Sequence, residues 1–423
     1  MALVRFISQS CGKSANKIPT VLKSFKVRQL ALPLVRCFNS HDGHDGSFKF
    51  SDLNIQLTQH HRPKPDYGKL MFGKNFSDHM FEVQWSKESG WEEPRIAPLH
   101  NLSLHPAATS LQYAIELFEG MKAFRGVDGK ICMFRPHHNM KRMRRSAKRA
   151  GLPTFDCDEF ARCIAKLMCV DRDWVPKSLT SSMYIRPTLI STEPSIGVLP
   201  PNQALLYVIA GPVGPYFPSG GFTPVTLLAD DVHIRAAKGG VGQYKMGCNY
   251  APGIVPQMEA QKKGCQQILW LYGDDYKVTE AGTMNCFMFW ENKQGEMELV
   301  TPDLDGTILP GVTRISILEL VREWGEFKVT ERSFTMQELL EGLKENRVKE
   351  VFGAGTACVV CPVGQILFKG EMYEIPTMKD GAPLASRLLK TLNDIQYGRI
   401  KSPWAVDIED LAEEEEGIRR KAR

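Results

Sequence analysis

The chain has 423 residues, of which 43% are hydrophobic and 24% charged, as in ordinary globular proteins. These values exclude collagen-like, low-complexity and largely disordered proteins, and no stretch approaches the ~18 consecutive apolar residues of a membrane helix. The net charge of +5 comes from residues 1–41, which hold seven Lys or Arg and no acid. The rest of the chain is nearly neutral, which does not suit a nucleic-acid-binding protein.

Residues 1–41 have the composition of a mitochondrial transit peptide, because they are basic, free of acid and rich in hydroxyl side chains. They lack the continuous apolar core of a secretory signal. We therefore predict import into the mitochondrial matrix. The alternative is a basic tail that stays in the cytosol.

Residues 42–210 form the first, smaller predicted domain, an α+β mixture of short strands and amphipathic helices. Strands are predicted at Phe81–Trp85, Lys130–Phe134, Met183–Pro187 and Ala204–Ile209, and helices near Asn139–Ala150 and Asp158–Cys169.

The segment 211–224 is predicted to be an interdomain linker. Eight of its 14 residues are Gly or Pro, a composition that disfavours a helix or a central strand. It also holds Tyr216 and Phe217, which suggests that the linker lines a site.

Residues 225–402 form the second, larger predicted domain. Strands are predicted at Val225–Ala229, Gln267–Leu271, Phe287–Trp290 and Leu299–Thr301, and a helix begins near Val312. Thr335 and Glu338 have the spacing of a capping box ahead of a helix at Leu339–Leu343. Residues 403–423 are a charged tail. Its acidic residues Glu409, Asp410 and Glu413–Glu416, followed by the basic run Arg419–Arg423, are predicted to form a solvated, frayed helix.

Eleven scattered cysteines include one C-x-x-C pair, Cys358 and Cys361. A single pair lacks the second pair of ligands that a structural zinc site needs, so no metal is expected. The sequence also lacks a P-loop, a complete dinucleotide fingerprint and a G-x-S-x-G elbow. Hydride transfer, ATP hydrolysis and serine hydrolysis therefore have no support.

Residues 239–250, GGVGQYKMGCNY, place four glycines around Lys245, the only lysine of the segment. Glycine allows close backbone approach, and a partly desolvated lysine can become a nucleophile that forms a Schiff base. A glycine loop with a surface lysine is the alternative.

Two further motifs contain polar groups. Glu280 precedes Ala-Gly-Thr283, and the segment Ile308–Arg314 begins a helix at Val312 and Thr313. A helix N-terminus with free N–H groups can bind phosphate. Taken singly, a solvent-facing glutamate and a plain helix cap explain the two motifs equally well.

The order FEGMKA, FRP, NMKRM, YIRP, GGVGQYKMGCNY, TEAGTMNCF, ILPGVTR, FGAGTAC over about residues 70–398 closely resembles the branched-chain aminotransferases. These are pyridoxal-phosphate enzymes of fold type IV. The resemblance implies a two-domain α+β or α/β fold, similar to that of D-amino acid aminotransferase, and a homodimer. The FGAGTACVVC segment and the transit peptide together resemble the animal mitochondrial form.

The resemblance implies a role for individual residues. Lys245 is the catalytic lysine that binds pyridoxal 5'-phosphate covalently. The other cofactor-binding residues are Glu280 at the pyridine nitrogen, Tyr250 at the ring hydroxyl, and Arg142, Val312, Thr313 and Thr356 at the phosphate. Substrate-binding residues are Phe72, Tyr113, Phe118, Tyr184, Arg186, Tyr216, Thr283 and Ala357, with Val198 reaching into the neighbouring subunit's site. The mammalian members of the family carry a redox-sensitive pair of cysteines at the positions of Cys358 and Cys361.

The implied activity is transfer of the amino group of L-leucine, L-isoleucine or L-valine to 2-oxoglutarate, the first step of branched-chain amino acid catabolism, and its reverse. The aromatic substrate residues suit branched methyl groups. A D-amino acid aminotransferase or an aminodeoxychorismate lyase is the alternative within the fold. A catalytically inactive scaffold is the alternative from another class, but it would have no reason to keep Lys245, Glu280, Tyr250 and Arg142 together.

Overall fold

The computed structural model describes residues 46–214 and 222–413. The predicted transit peptide lies outside these ranges, as do Tyr216 and Phe217 of the predicted linker. Among the described residues, no helix combines the length and the apolar character that crossing a membrane requires.

Ten strands of the described chain form a first, largely antiparallel sheet. They are β1 (Asn54–Ile55), β2 (His79–Ser86), β3 (Gly90–Trp91), β4 (Arg95–Pro98), β5 (Glu116–Phe118), β6 (Met121–Arg125), β7 (Ile131–Phe134), β8 (Ser182–Ser191), β9 (Gln203–Val213) and, from near the C-terminus, β19 (Ala405–Asp407). The strand order is β1-β4-β2-β9-β8-β6-β7-β19, with β3 on β2 and β5 on β8.

The described residues of this half contain three α-helices, namely α1 (Thr109–Tyr113), α2 (Pro136–Ala150) and α3 (Cys157–Val170). Helix α3 begins where the Asp156 side chain accepts hydrogen bonds from the N–H groups of Asp158 and Glu159, a typical N-cap. The apolar faces of α2 and α3 pack with the sheet in one core that includes Met140, Met143, Phe160 and Ile164.

Nine strands form the second sheet. They are β10 (Val225–Asp230), β11 (Gln267–Tyr272), β12 (Lys277–Ala281), β13 (Met284–Glu291), β14 (Met297–Thr301), β15 (Lys328–Glu331), β16 (Val348–Gly355), β17 (Val359–Phe368) and β18 (Glu371–Glu374). The order is β12-β11-β10-β17-β16-β13-β14-β15, with β18 on β17. Since β12 also pairs with β13, six of these strands close into a barrel-like ring. The α-helices that accompany this sheet are α4 (Ile254–Lys262), α5 (Val312–Trp324), α6 (Met336–Lys344) and α7 (Pro383–Gln396).

The strands and helices predicted between residues 81 and 343 are all present, several of them longer than predicted. Helix α5 begins at the predicted Val312. Helix α6 begins at Met336, three residues before the predicted start, because the Thr335 side chain accepts a hydrogen bond from the N–H of Glu338 and caps the helix there.

The prediction for the segment 211–224 excludes a central strand, and its first three residues belong to the end of a strand that is paired on one side only. Strand β9 continues to Val213, and Pro212 pairs with Met183 of β8. On the other side, pairing with β2 ends at Val208. Pro212 therefore has a strand neighbour on one side only, where the missing N–H of a proline is tolerated. The domain boundaries at 210 and 225 stay a prediction.

The predicted helix in the acidic part of the tail is present as far as Glu413, and Glu409, Asp410 and Glu413 are exposed, but one face of this helix is buried. Strand β19 pairs with β7, and residues 408–413 are helical. Ile408, Leu411 and Ala412 are buried in the core of the first sheet. The charges around them are visible in the sequence, but the three apolar residues on one face are what anchors the segment.

Candidate active site

A cavity of about 350 Å³ is lined by residues of both halves of the chain. All the predicted cofactor residues line it, namely Arg142, Lys245, Tyr250, Glu280, Val312, Thr313 and Thr356, as do the predicted substrate residues Phe72, Phe118, Tyr184, Arg186, Thr283 and Ala357. A larger cavity of about 920 Å³, beside Thr226 and Lys379, contains none of these residues.

Lys245 is held by its backbone on two sides. Its N–H donates to Ser146 Oγ of α2 at 3.1 Å, and its carbonyl accepts from the N–H of Phe118 of β5 at 3.0 Å. The side-chain amine donates to Tyr250 Oη at 3.2 Å and lies 5.0 Å from the centre of the Phe118 ring. The amine is therefore fixed among aromatic groups, with a phenol as its hydrogen-bond partner.

One glycine of the lysine segment is needed for close approach. A Cβ at Gly242 would collide with the Cβ of Ala236 and the carbonyl of Thr307. The backbone of residues 239–250 thus packs directly against the chain that leads into α5. This contact explains part of the glycine pattern of the sequence.

Glu280 on β12 is buried and makes contacts through both carboxylate oxygens. Oε1 accepts from the N–H of Leu309 at 3.1 Å and from Asn285 Nδ2 at 3.0 Å, and Oε2 lies 2.7 Å from Arg235 Nε. Burial raises the pKa of Glu280, and the Arg235 charge is the largest influence that lowers it. The site therefore contains a desolvated carboxylate that Arg235 favours in its ionised form.

Arg142 is buried on α2 and forms a bidentate ion pair with Glu119. Its Nε donates to Oε1 of Glu119 at 2.7 Å, and its Nη2 donates to Oε2 at 2.6 Å. Burial alone would lower the pKa of Arg142, but the Glu119 carboxylate outweighs it and the net change is upward. Nη1 donates to the carbonyl of Pro310 at 3.0 Å. Arg142 therefore stays charged beside the start of α5.

The N-terminus of α5 opens into the cavity. Gly311 stands at the N-cap and gives the helix no side-chain cap, so the first N–H groups are available to a ligand. A Cβ at Gly311 would collide with Asn285 Oδ1. Asn285 Nδ2 also donates to the carbonyl of Leu309 at 2.9 Å, and it thereby ties this turn to Glu280. An uncapped helix end beside an arginine suits an anion.

The opposite side of the cavity is aromatic. The rings of Phe72 and Tyr184 meet edge to face with centres 5.0 Å apart, and those of Phe118 and Tyr250 lie 4.9 Å apart. The Arg186 guanidinium lies 4.6 Å from the centre of the Phe118 ring and donates to Tyr184 Oη at 3.2 Å. Arg186 Nε is buried and has no hydrogen-bond partner among the described residues, so a donor is left for a ligand.

The turn from Gly355 to Val359, between β16 and β17, closes the cavity with Thr356, Ala357 and Cys358. Cys358 and Cys361 are both free thiols, and Cys358 Sγ lies 3.2 Å from Met284 Sδ. Burial raises the pKa of Cys358 to about 11, and burial also raises that of Cys361. In the structure the C-x-x-C spacing therefore does not lower either thiol pKa.

Two of the predicted substrate residues do not line the cavity within one chain. Tyr113 and Val198 are 42% and 74% exposed, and Tyr113 Oη donates to the carbonyl of Ile196. Tyr216 lies outside the described residues. The roles of these three residues stay predictions.

Sequence reasoning missed Arg235, Glu119 and Asn285. Arg235 lies four residues before the glycine-rich segment, and Glu119 lies within the FEGMKA motif, but neither position indicates its partner. The arrangement as a whole places an amine, a buried carboxylate, a phenol and an uncapped helix end around one cavity. It suits a ligand with an electrophilic carbonyl, a basic ring nitrogen and a phosphate group.

Comparison with known proteins gives consistent results. A family described as amino-transferase class IV matches residues 116–366. The chain is 58% identical to the cytosolic branched-chain-amino-acid aminotransferase of Mus musculus, over 86% of this chain and 94% of that protein. It is 54% identical to the mitochondrial branched-chain-amino-acid aminotransferase of Bos taurus, over 90% and 97%.

Solved structures share the fold. The branched-chain aminotransferase of Thermoproteus uzoniensis with norvaline has a TM-score of 0.63 and 23% identity, covering 77% of this chain and 99% of that one. The branched-chain amino acid aminotransferase of Thermobaculum terrenum in its PLP form has a TM-score of 0.61 and 19% identity, covering 77% and 98%. The predicted fold is confirmed by these two structures.

Proposed function

This chain belongs to the class IV aminotransferase family, among the branched-chain-amino-acid aminotransferases, and we propose that it moves the amino group of L-leucine, L-isoleucine or L-valine to 2-oxoglutarate. The products are the branched 2-oxo acid and L-glutamate. The observation that carries the proposal is the convergence of Lys245, Tyr250, Glu280 and the uncapped start of α5 on one cavity.

The donor set fits pyridoxal 5'-phosphate. When bound, this cofactor supplies an electron-withdrawing ring that stabilises negative charge at the substrate α-carbon. Arg142, the N–H groups of Val312 and Thr313, and the Thr356 hydroxyl would hold its phosphate, because they combine a fixed positive charge with helix-end donors. Solved relatives in PLP form support the same cofactor.

Lys245 has two roles in this proposal. In the resting enzyme its amine would hold the cofactor covalently. With substrate bound, the Lys245 amine would take the proton from the substrate α-carbon and deliver it to C4′ of the cofactor. Tyr250, 3.2 Å from that amine, orients it and stabilises a negative ring oxygen.

Glu280 holds a proton at the ring nitrogen. A buried carboxylate can do this only while it is itself ionised, and the ion pair with Arg235 at 2.7 Å favours that form. Because both groups are desolvated, their interaction is stronger than it would be in water.

The aromatic side of the cavity favours branched apolar side chains. Phe72, Phe118 and Tyr184 present ring faces and edges that bury methyl groups at ~0.8 kcal/mol per CH₂. Arg186 would pair with the distal carboxylate when glutamate or 2-oxoglutarate binds, since its Nε has no partner among the described residues. The backbone of Ala357 and the hydroxyl of Thr283 would bind the α-carboxylate.

The active unit is proposed to be a homodimer. Ile196, Val198 and Leu199 form an apolar loop that is more than two-thirds exposed, more apolar surface than a loop tip usually leaves in water. Its tip would complete the partner's site, as proposed for Val198. The acid-free segment 1–41 supports a mitochondrial location, and the chain is similar to both mitochondrial and cytosolic relatives.

The test is an amino-transfer assay on the purified protein with leucine and 2-oxoglutarate, read as glutamate formed. Wild type should turn over and absorb near ~410 nm, as a lysine-bound cofactor does. The Lys245→Ala variant should lose both signals. Lys238→Ala is the matched control, since Lys238 lies in the same region but is exposed and pairs with Asp305. Near wild-type turnover in Lys245→Ala would contradict the proposal.

A further inference from the structure

Lys122 on β6 is a buried lysine that the reaction described above does not use. Its Nζ donates to the carbonyl of Ala357 at 2.8 Å, across the gap between the two sheets. The residue is 8% exposed. Burial lowers the pKa of Lys122 to about 8.

Among the described residues, no carboxylate pairs with this amine. Three titratable groups line a second cavity of about 220 Å³ together with Lys122, namely Cys358 from the turn after β16, Cys361 of β17 and Tyr397 from the end of α7. Burial raises the pKa of Cys358 to about 11 and that of Tyr397 to about 12, and it also raises the pKa of Cys361, so all three groups are neutral at pH 7. The ammonium is therefore stabilised mainly by the Ala357 carbonyl, a costly arrangement for a charge.

The group that Lys122 binds is part of the active-site turn. Thr356, Ala357 and Cys358 line the active-site cavity on one side, and Ala357 and Cys358 line the second cavity, with Lys122, on the other. The turn ends at Val359, whose φ of +64° is unfavourable for a β-branched residue. Such a conformation persists only where the surroundings hold it, and the hydrogen bond from Lys122 is one such restraint.

We propose that Lys122 is a positioning residue, whose ammonium group holds Ala357 in the orientation that binds the substrate α-carboxylate and adds a positive charge behind it. The inference rests on the proposed function, which assigns that carboxylate to Ala357. A neutral amine would still donate a hydrogen bond, but a weaker one without the charge. Substrate affinity should therefore fall as Lys122 loses its proton.

The experiment compares wild type, Lys122→Met and Lys122→Arg with glutamate and the 2-oxo acid of leucine from pH 6.5 to 9.5. In Lys122→Met at pH 7, KM for the 2-oxo acid should rise about tenfold, the size expected for losing a charged hydrogen bond, while kcat changes less than about threefold. Cofactor absorbance should be unchanged. Lys130→Met is the matched control, since Lys130 is exposed and pairs with Asp407.

The pH series separates positioning from a structural role. Wild-type KM should rise above pH 8 relative to that of Lys122→Arg, whose guanidinium keeps its charge. Titrations that both proteins share cancel in the ratio of their KM values. A constant ratio across the series, or an unchanged KM in Lys122→Met, overturns the inference. If Lys122→Met does not fold, the comparison of wild type with Lys122→Arg across the pH range is by itself the test. Failure of the proposed function is recognised separately, because wild type would then show no amino transfer.

Discussion

The guanidinium of Arg235 lies against the Glu280 carboxylate, with Nε 2.7 Å from Oε2 and both side chains buried. Arg235 also donates to the carbonyl of Thr307 at 2.9 Å, so it ties the chain before the lysine segment to the chain before α5. The pair sets the electrostatic character of the cavity, because burial raises the pKa of Glu280 and Arg235 opposes that rise.

We expect Arg235→Met to shift the acid limb of the kcat/KM profile to higher pH. Removing the positive charge raises the pKa of Glu280 further, and only ionised Glu280 can hold the ring nitrogen proton, so activity is lost first at low pH and recovers as pH rises. Steady-state assays from pH 5.5 to 9 measure the shift. Arg235→Lys should shift less. Arg95→Met is the control, because it removes another arginine paired with a buried glutamate, and it should not shift the acid limb. An unchanged acid limb in Arg235→Met would contradict the proposed effect of Arg235 on Glu280.

Replacing Glu280 with glutamine should leave a folded, cofactor-binding protein with a kcat lowered by at least about tenfold, or ~1.4 kcal/mol in the barrier. The amide keeps the size and the hydrogen bond from Leu309 but cannot stabilise a positive ring nitrogen. Single-turnover kinetics with leucine isolate the proton-transfer step. Glu319→Gln is the control, since Glu319 is a half-exposed glutamate that pairs with Arg135. A loss below tenfold would count against the assignment.

The elements around the site could be predicted because their signals are local. The start of α5 follows from Pro310 and Gly311 next to an amphipathic run, and one of the four glycines around Lys245, Gly242, is required by close packing with Thr307. The ion pair of Arg142 with Glu119 and that of Arg235 with Glu280 join residues 23 and 45 positions apart. No local pattern indicates such partners, since they are brought together by the packing of α2 and β12 against other elements.

Two packing details could not be predicted from composition. They are the one-sided strand pairing of Pro212 within the predicted linker and the buried apolar face of the helix at residues 408–413. Composition does not reveal whether a strand neighbour is missing on one side, as at Pro212, or whether three apolar residues among charges face a core, as at Ile408 and Leu411. Both depend on the tertiary neighbours, which override local preference.

The Cys358–Cys361 pair remains a proposed redox site, and its rate of inactivation by peroxide should depend on pH. Peroxide should lower activity, dithiothreitol should restore it, and Cys358→Ser should blunt the response while keeping most basal activity. Because burial raises the pKa of Cys358 to about 11, the thiolate is scarce at pH 7, and inactivation should accelerate close to tenfold per pH unit up to pH 9. Rates of inactivation at pH 7, 8 and 9 test this.

Cys248 is the necessary comparison for that experiment, since it is exposed and lies three residues after Lys245. If Cys248→Ser abolishes peroxide sensitivity and Cys358→Ser does not, the redox response belongs to Cys248.

The last prediction concerns stability at the buried Lys122. Its pKa is about 8 in the folded protein against 10.5 for the ordinary group. Below pH 8 both folded and unfolded chains carry the proton, and the folded protein bears the full cost of burying the charge. Between pH 8 and 10.5 the unfolded chain binds more protons than the folded one, so the stability of wild type must rise with pH relative to a variant without the amine.

Urea unfolding of wild type and Lys122→Met at pH 7 and 9.5 measures this difference. Between pH 7 and pH 9.5, the free energy of unfolding of wild type should rise by about 2 kcal/mol relative to that of Lys122→Met, from the depressed pKa of Lys122 alone. Titrations common to both proteins cancel in the difference, and the thiol of Cys358 is still largely protonated at pH 9.5 because its pKa is about 11. A difference that stays constant, or that changes in favour of Lys122→Met, would show that the Lys122 amine is solvated or paired in solution.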